Sequence, residues 1–215
     1  MQDAELFIVV AALGLVPLLF MGLTAFVKIS TVLFITRSAI GMPAVPANLV
    51  VMVLAAALTV VAMTPVGRLI DGRIAPLLEQ VEQRPLGEVA RETVEELREP
   101  LRDFYRANAA PGELERFVQL LEEQSAPGST VDHGAFSVVI PAFLVTELLE
   151  AFALGFAIFL PFLVIDLIVA NVLVALGVQA MSPTQVALPF KLLLFVAVDG
   201  WGLLARALAS GYVPG

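Results

Sequence analysis

Three ionisable side chains stand in the most apolar part of the chain and are the first candidates for chemistry. Residues 167 to 190 carry no charge, yet Asp166 and Lys191 bracket them and Asp199 follows. A charged group at the centre of a bilayer costs about 2.5–3.5 kcal/mol on insertion scales. A pair between Lys191 and either aspartate would offset that cost. The pattern therefore predicts a structural ion pair, a charge that lines a pore or gate, or a proton relay.

Four more charged residues stand in apolar surroundings. Lys28 and Arg37 flank a second apolar run, and Glu147 and Glu150 lie in a third. Residues three apart share a helix face, so the two carboxylates would meet water or a basic partner. Lys28 and Arg37 either extend their charged ends to the membrane surface or pair with these glutamates between subunits. A paired-carboxylate acid–base site is a further alternative, although no nucleophile or metal ligand accompanies it.

The uncharged loop between the last two apolar segments is a candidate constriction. A plain hairpin turn is the simpler interpretation. Methionine is flexible and fills irregular gaps, so the functional alternative is an apolar closure of a channel. The residues of this candidate constriction are Val178, Gln179, Ala180 and Met181.

The composition limits the chemistry that the chain can support. Of its 215 residues, 59% are hydrophobic and 15% are charged, against about 45–50% and about 25% in a soluble domain. These fractions indicate a membrane protein or a subunit of a membrane complex. The net charge of -8 argues against nucleic acid, because a phosphate binder needs a basic face. With no cysteine and one histidine, metal and thiol chemistry are disfavoured, and we expect neither an enzyme nor a cofactor.

The elements that must position these residues are apolar helices around one acidic insertion. Residues 68 to 133 contain 22 of the chain's 32 charged residues, and their apolar positions recur as in amphipathic helices. We therefore predict an all-α fold of membrane-associated helical hairpins with an inserted soluble helical region. The predicted domains are N-terminal hydrophobic helices over 1–67, the soluble acidic region over 68–134 and a C-terminal hydrophobic hairpin region over 135–215.

Prolines and glycines mark the predicted breaks between these helices. Pro17 predicts a kink in the first segment, and Pro65 predicts the end of the second. Pro100 is interpreted as the start of a second short helix or as a kink. Pro-marked turns at 160–161 and 182–183 divide the C-terminal stretch. The predicted hydrophobic segments are 6–27, 49–66, 135–159, 163–176 and 186–204.

These segments fit lipid poorly. Their connecting loops carry almost no basic residues, whereas short cytoplasmic loops of membrane proteins are usually basic. Prolines and polar groups at membrane depth are tolerated only where the backbone is buried in protein or lines a water-filled cavity. We therefore expect these helices to pack mainly against other subunits.

Motifs spread over nearly the whole chain resemble one family. The run FVKISTVLFITRSAIG, followed by VPANLV, is similar to its first signature, and PAFLVTEL, LPFLVID and LPFKLLLFVAVDGW cover the C-terminal third. These runs resemble the FliP/SctR (YscR-type) family of the type III secretion export apparatus. Flagellar members resemble this chain after a cleavable leader, so we expect the virulence-type (injectisome) branch.

The resemblance implies a core channel-forming subunit, without enzymatic activity, that conducts unfolded substrate proteins across the bacterial inner membrane. Members assemble in several copies, about five, into a helical multi-subunit cone with SctS-type and SctT-type partners. SctU-type and SctV-type components, secreted proteins and membrane lipid are further expected partners. In such a cone the paired charges would be contacts between subunits. The family often has consecutive methionines where this chain has Val178, Gln179 and Ala180, so only an apolar constriction carries over.

Two other functions stay open at this point. A small secondary transporter or proton channel would use Asp166, Lys191 and Asp199 as a relay, although transporters usually show two related halves and no internal repeat is visible here. An intramembrane hydrolase would rest on Glu147 and Glu150.

Overall fold

The computed structural model is all-helical, as the sequence predicts. It contains no strand within the residues that it describes. Most of the first predicted segment, with the kink at Pro17, lies outside those residues. Leu78 and Leu86 are described by their backbone alone. The described residues are 14, 20–81, 84–126, 130–178 and 180–213.

The helices follow one another with short connections. They are α1 Phe26–Ile40, α2 Asn48–Ala62, α3 Thr64–Leu78, α4 Leu86–Asn108, α5 Pro111–Gln124, α6 Phe136–Ala175, α7 Pro183–Ala197 and α8 Gly200–Ala209.

The chain forms two compact units that are interleaved along the sequence. Unit 1 combines Met1–Ala25, Val60–Glu147 and Gly211–Gly215, and unit 2 combines Phe26–Thr59 and Leu148–Ser210. These units do not coincide with the three sequence ranges predicted as domains, because each unit is built from stretches distant in the chain. Because the unit boundaries fall inside α2 and α6, each of these helices contributes residues to both units.

Unit 1 is built on an aromatic core. The ring centroids of Phe104 and Phe143 lie 5.5 Å apart, and those of Tyr105 and Phe143 lie 5.2 Å apart. Aromatic pairs in such contact add about 0.5–1.5 kcal/mol beyond the burial of their area. The Tyr105 hydroxyl donates a hydrogen bond to the Leu23 carbonyl at 3.0 Å, and burial raises the pKa of Tyr105 to about 12. The other buried members of this core are Val66, Ala109, Val139 and Ala142.

The amphipathic pattern of the acidic region correctly predicts α4, but the start of a second short helix at Pro100 is wrong, and a kink there stays a prediction. The helix continues through this buried proline to Asn108. A proline inside a helix removes one backbone hydrogen bond and costs about 3 kcal/mol. Phe104 and Tyr105, on the same helix, are almost fully buried, and this packing offsets the cost.

α6 is the longest helix and removes another predicted break. Its 40 residues run through Pro141 and Pro161, so the turn at 160–161 and the separate segments over 135–159 and 163–176 are wrong. Prolines are tolerated in apolar helices because local adjustments and neighbouring groups satisfy the freed carbonyls. α6 is long and apolar enough to cross a membrane, and 11% of its most apolar 18-residue stretch is buried.

Two bent pairs of helices are further candidate membrane spans, if each pair is counted as one span. α2 and α3 meet at 61°, and α7 and α8 meet at 58°. Pro65 lies in the first turn of α3 instead of ending a single helix, because a proline there gives up a backbone N–H that has no partner in the helix anyway. Pro183 begins α7, so the predicted turn at 182–183 is confirmed.

Candidate functional site

Lys191 pairs with Asp166, as one of the sequence interpretations predicts. Its Nζ donates to Oδ2 of Asp166 at 2.6 Å and to the Ala39 carbonyl at 3.2 Å. The Lys191 side chain is 3% exposed and that of Asp166 is 30% exposed. Asp166 precedes the end of α6 by about as many residues as separate Lys191 from the start of α7. The two charges therefore lie at similar distances from the loop that joins α6 to α7.

The pair leaves one acceptor open. Oδ1 of Asp166 is buried and has no hydrogen-bond partner in the part of the chain that the structure describes. An ionised carboxylate offers about four lone-pair sites, so Asp166 has capacity for a further donor. Breaking a buried pair by removing one partner typically costs 3–5 kcal/mol, because the other charge stays buried.

Lys28 pairs with Glu150, one of the two glutamates predicted for it. The Nζ–Oε2 distance is 2.8 Å, with the Lys28 side chain buried and that of Glu150 55% exposed. The prediction that this pair joins two subunits is wrong for these two atoms, since they meet within one chain. The reason is a close approach of α1 and α6, where a Cβ added at Gly155 would lie 2.5 Å from Cδ1 of Ile35.

Arg37 closes the turn between α1 and α2 instead of pairing with a glutamate. Its Nη1 donates to the Pro46 carbonyl at 2.9 Å and to Oδ1 of Asn48 at 2.7 Å. The guanidinium also lies over the Phe34 ring, 5.1 Å from its centroid. The side chain is buried, so Arg37 neither extends to a membrane surface nor meets Glu147 or Glu150 through these contacts.

Glu147 and Glu150 occupy different environments although they are three residues apart. Glu147 is 1% exposed and accepts a hydrogen bond from the Tyr212 hydroxyl. Glu150 is half exposed and pairs with Lys28. The shared face predicted for them therefore does not place both carboxylates in one site, which removes the geometric basis of an acid–base pair. The described residues also contain no group of three or more possible metal ligands.

Asp199 stands apart from the buried pair. It precedes α8 with a φ of 51°, in the left-handed region, at the bend between α7 and α8. Its carboxylate lies 3.6 Å from Nη2 of Arg206, and both side chains are exposed. Asp199 thus pairs with Arg206 instead of Lys191, and a three-member relay with Asp166 loses one member.

The candidate constriction loop begins at a well-defined helix end. The N–H of Gly177, with φ 68°, donates to the Val174 carbonyl, and the N–H of Val178 donates to the Leu173 carbonyl, both at 3.0 Å. This pair of bonds is a Schellman motif, which ends a helix at a left-handed glycine. Met181 is 55% exposed, and Gln179 lies outside the described residues. The loop therefore projects an apolar side chain from a fixed base.

Sequence reasoning missed two features of the site. Gly155 permits the α1–α6 contact, and its only signal was a small residue within an apolar run. The contact of Tyr212 with Glu147 joins residues 65 positions apart, and its only signal was a lone aromatic residue in the C-terminal tail. Neither signal is periodic, so neither contact follows from helix patterns.

Comparison with known proteins gives matches over nearly the whole chain. The FliP family model matches residues 9–208. The probable translocation protein y4yL of Sinorhizobium fredii is 40% identical over 219 residues, which cover 100% of this chain and 98% of that protein. The flagellar biosynthetic protein FliP of Cereibacter sphaeroides is 40% identical over 210 residues, with coverages of 97% and 67%. The Yop proteins translocation protein R of Yersinia pestis is 36% identical over 219 residues, with coverages of 98% and 97%.

Proposed function

This chain belongs to the FliP family, and on that premise we propose that it is a core channel-forming subunit that conducts unfolded substrate proteins across the bacterial inner membrane. Family membership makes it a component of a type III secretion export apparatus and not an enzyme. Relatives named as translocation proteins support the step from component to channel. The injectisome branch stays a prediction, because relatives of both branches are similar to this chain.

The proposal rests on the many large apolar side chains that are exposed in a single copy of the chain. Contiguous apolar patches larger than a few hundred Å² mark interaction sites on soluble proteins or contact with a membrane. Several copies packed around an axis, with lipid outside, would cover such surfaces. We propose an assembly of about five copies into a helical cone with SctS-type and SctT-type subunits and with SctU-type and SctV-type components. The exposed side chains of α6 include Phe152, Phe156, Val164, Leu167 and Ile168.

The charged residues support the assembly in two ways. The pairs Lys191–Asp166 and Lys28–Glu150 hold α1, α6 and α7 in register within unit 2. The half-exposed carboxylate of Glu150 is then available to donors of a neighbouring subunit. Oδ1 of Asp166 and Nε of Arg37 are buried within this chain and have no partner among the described residues. Buried polar groups are normally paired with protein or with ordered water, so an internal water is the expected partner of these two atoms.

Native mass spectrometry of the chain co-expressed with its small helical partners tests the assembly. We expect an oligomer that contains several copies of this chain together with those partners. A stable monomer in the presence of all partners would overturn the proposal. Glu79→Gln, on the exposed acidic surface of unit 1, is the matched control and should leave the oligomer intact, whereas Glu150→Gln should reduce its yield.

Ion leakage through the assembled complex tests the constriction. We propose that Val178, Gln179, Ala180 and Met181 close the channel, and the exposed apolar side chain of Met181 supports this proposal. Met181→Ala should raise leakage in planar bilayers and Met181→Leu should not, because leucine conserves volume. Equal leakage in all three complexes would make the loop a plain turn.

A further inference from the structure

The last described residues of the chain lie in a site on unit 1 that the proposed function does not use. Nδ2 of Asn108 donates to the Val213 carbonyl at 2.7 Å, and the Val213 N–H donates to Oδ1 of Asn108 at 3.0 Å. A side-chain amide presents the donor and acceptor of a peptide group. The Asn108 side chain therefore binds only backbone atoms of Val213, with a pair of hydrogen bonds like those that a neighbouring β-strand would form.

The residue before Val213 is bound by its side chain. The Tyr212 ring stacks on Phe104, with centroids 6.3 Å apart and planes at 26°, and packs against the aromatic core of unit 1. Its hydroxyl donates to Oε2 of Glu147, which is buried. Unit 1 therefore recognises position 212 by the shape of the tyrosine ring and by its hydroxyl donor.

We propose that Phe104, Asn108 and Glu147 form a docking site for an extended peptide segment that carries a tyrosine, and that the chain's own residues 211–213 occupy it. The three side chains come from the end of α4 and from α6, and all belong to unit 1. The site requires a phenol at position 212, because phenylalanine would lack the donor for Glu147. At position 213 it accepts any residue with a backbone N–H, since the Val213 residue is 57% exposed.

Photo-cross-linking tests which segment occupies the site. A benzoylphenylalanine replaces Val213 in the co-expressed complex, assembled from equal amounts of isotopically heavy and light chains. We expect residue 213 to cross-link to the end of α4, and both cross-linked peptides to carry the same isotopic label. Asn108→Ala removes both bonds to Val213 and should reduce the yield of this cross-link about tenfold. Cross-links between heavy and light chains would place the tail of a second copy in the site and overturn the assignment to the chain's own tail.

Hydrogen exchange at the amide of residue 213 tests the specificity. Tyr212→Phe keeps the ring but loses the donor, and should speed this exchange about tenfold. Val213→Thr keeps the backbone bonds, so its protection factor, which corrects for the faster intrinsic exchange of threonine, should equal that of the unmodified chain. Exchange across α6 serves as the control for folding and should be unchanged in both variants. Equal protection factors in Tyr212→Phe and the unmodified chain, or a lower protection factor in Val213→Thr alone, would overturn the recognition rule.

Discussion

The surface ion pairs around α3 and α4 and the buried lysine pairs of unit 2 use charge in opposite ways. In unit 1, Arg73 on α3 pairs with Glu99 on α4, and Arg84, just before α4, pairs with Glu92; the N–O distances are 2.9 and 2.6 Å, and all four side chains are at least 30% exposed. In unit 2, Lys28 and Lys191 are buried and pair with Glu150 and Asp166, unlike the exposed pair Asp199–Arg206. Exposed pairs are screened and contribute little, whereas a buried charge depends on its partner. The comparison predicts that ion pairs with similar N–O distances lose very different amounts of stability when one partner is removed.

The strongest test of this difference is Asp166→Ala. It leaves the Lys191 ammonium buried with only the Ala39 carbonyl as acceptor, so the free energy of unfolding should fall by about 3–5 kcal/mol. Thermal unfolding of the complex, followed by yield after purification, measures this loss. The double variant Asp166→Leu with Lys191→Met removes both charges and should recover much of the stability. If the single variant were as stable as the unmodified chain, the pair would have no structural role.

A smaller effect is expected where α1 meets α6. Gly155→Ala places a methyl group against Ile35, and overpacking of this kind costs about 1–3 kcal/mol. The separation of the helices should also expose the Lys28–Glu150 pair, which would make stability more sensitive to salt. Gly87→Ala is the control, because a Cβ there meets nothing within 4 Å. A loss of stability for Gly87→Ala equal to that for Gly155→Ala would argue against the close contact.

The surface pairs of unit 1 should respond to acid. The hydrogen bonds from Arg73 and Arg84 lower the pKa values of Glu99 and Glu92 respectively. A carboxylate with a lowered folded pKa stabilises the fold above its unfolded pKa, which is about 4.3, and this stability is lost as the pH falls through the folded pKa. Thermal unfolding of the complex should therefore show a small acid transition, a loss of stability that begins below about pH 4.3, because exposed pairs contribute little. An acid transition unchanged in the double variant Arg73→Ala with Arg84→Ala would contradict this cause.

The smallest effect is expected for Arg73→Ala alone at neutral pH. Both side chains of its pair with Glu99 are about half exposed, so water and salt already screen the attraction. The unfolding temperature should change little, and the small difference should vanish in high salt. A loss comparable to that of Asp166→Ala would erase the distinction between the two units.

The sequence predicted the buried pair of unit 2 better than it predicted the helices around it. Asp166 and Lys191 were identifiable because two charges in an uncharged stretch need a partner. The predicted helix break at Pro161 was wrong. The rule that proline ends a helix is local, and it does not include the packing of α6 on both sides of this proline. The contacts of Arg37 within the chain were not predicted, since its partners are a backbone carbonyl and an asparagine side chain, which no charge pattern reveals.

The acidic region shows the same limit. The apolar spacing of the acidic region correctly predicts α4 as an amphipathic helix, and Phe104 and Tyr105 lie on its buried face. The partner of Asn108 was not readable, since it lies 105 positions away and the contact uses backbone atoms of Val213. Contacts between distant stretches depend on the folded geometry, and helix periodicity contains no information about them.

The interleaving of the two units sets an order for folding during synthesis. Unit 1 joins Leu23 to Tyr105 and Asn108 to Val213, so its contacts cannot be complete until Val213 has been translated. At about 5–20 residues per second, Val213 is added about 10–40 s after Leu23. Apolar segments exposed for that time are prone to aggregation. Early insertion into a membrane or early capture by other subunits would therefore protect this chain before its own fold is finished.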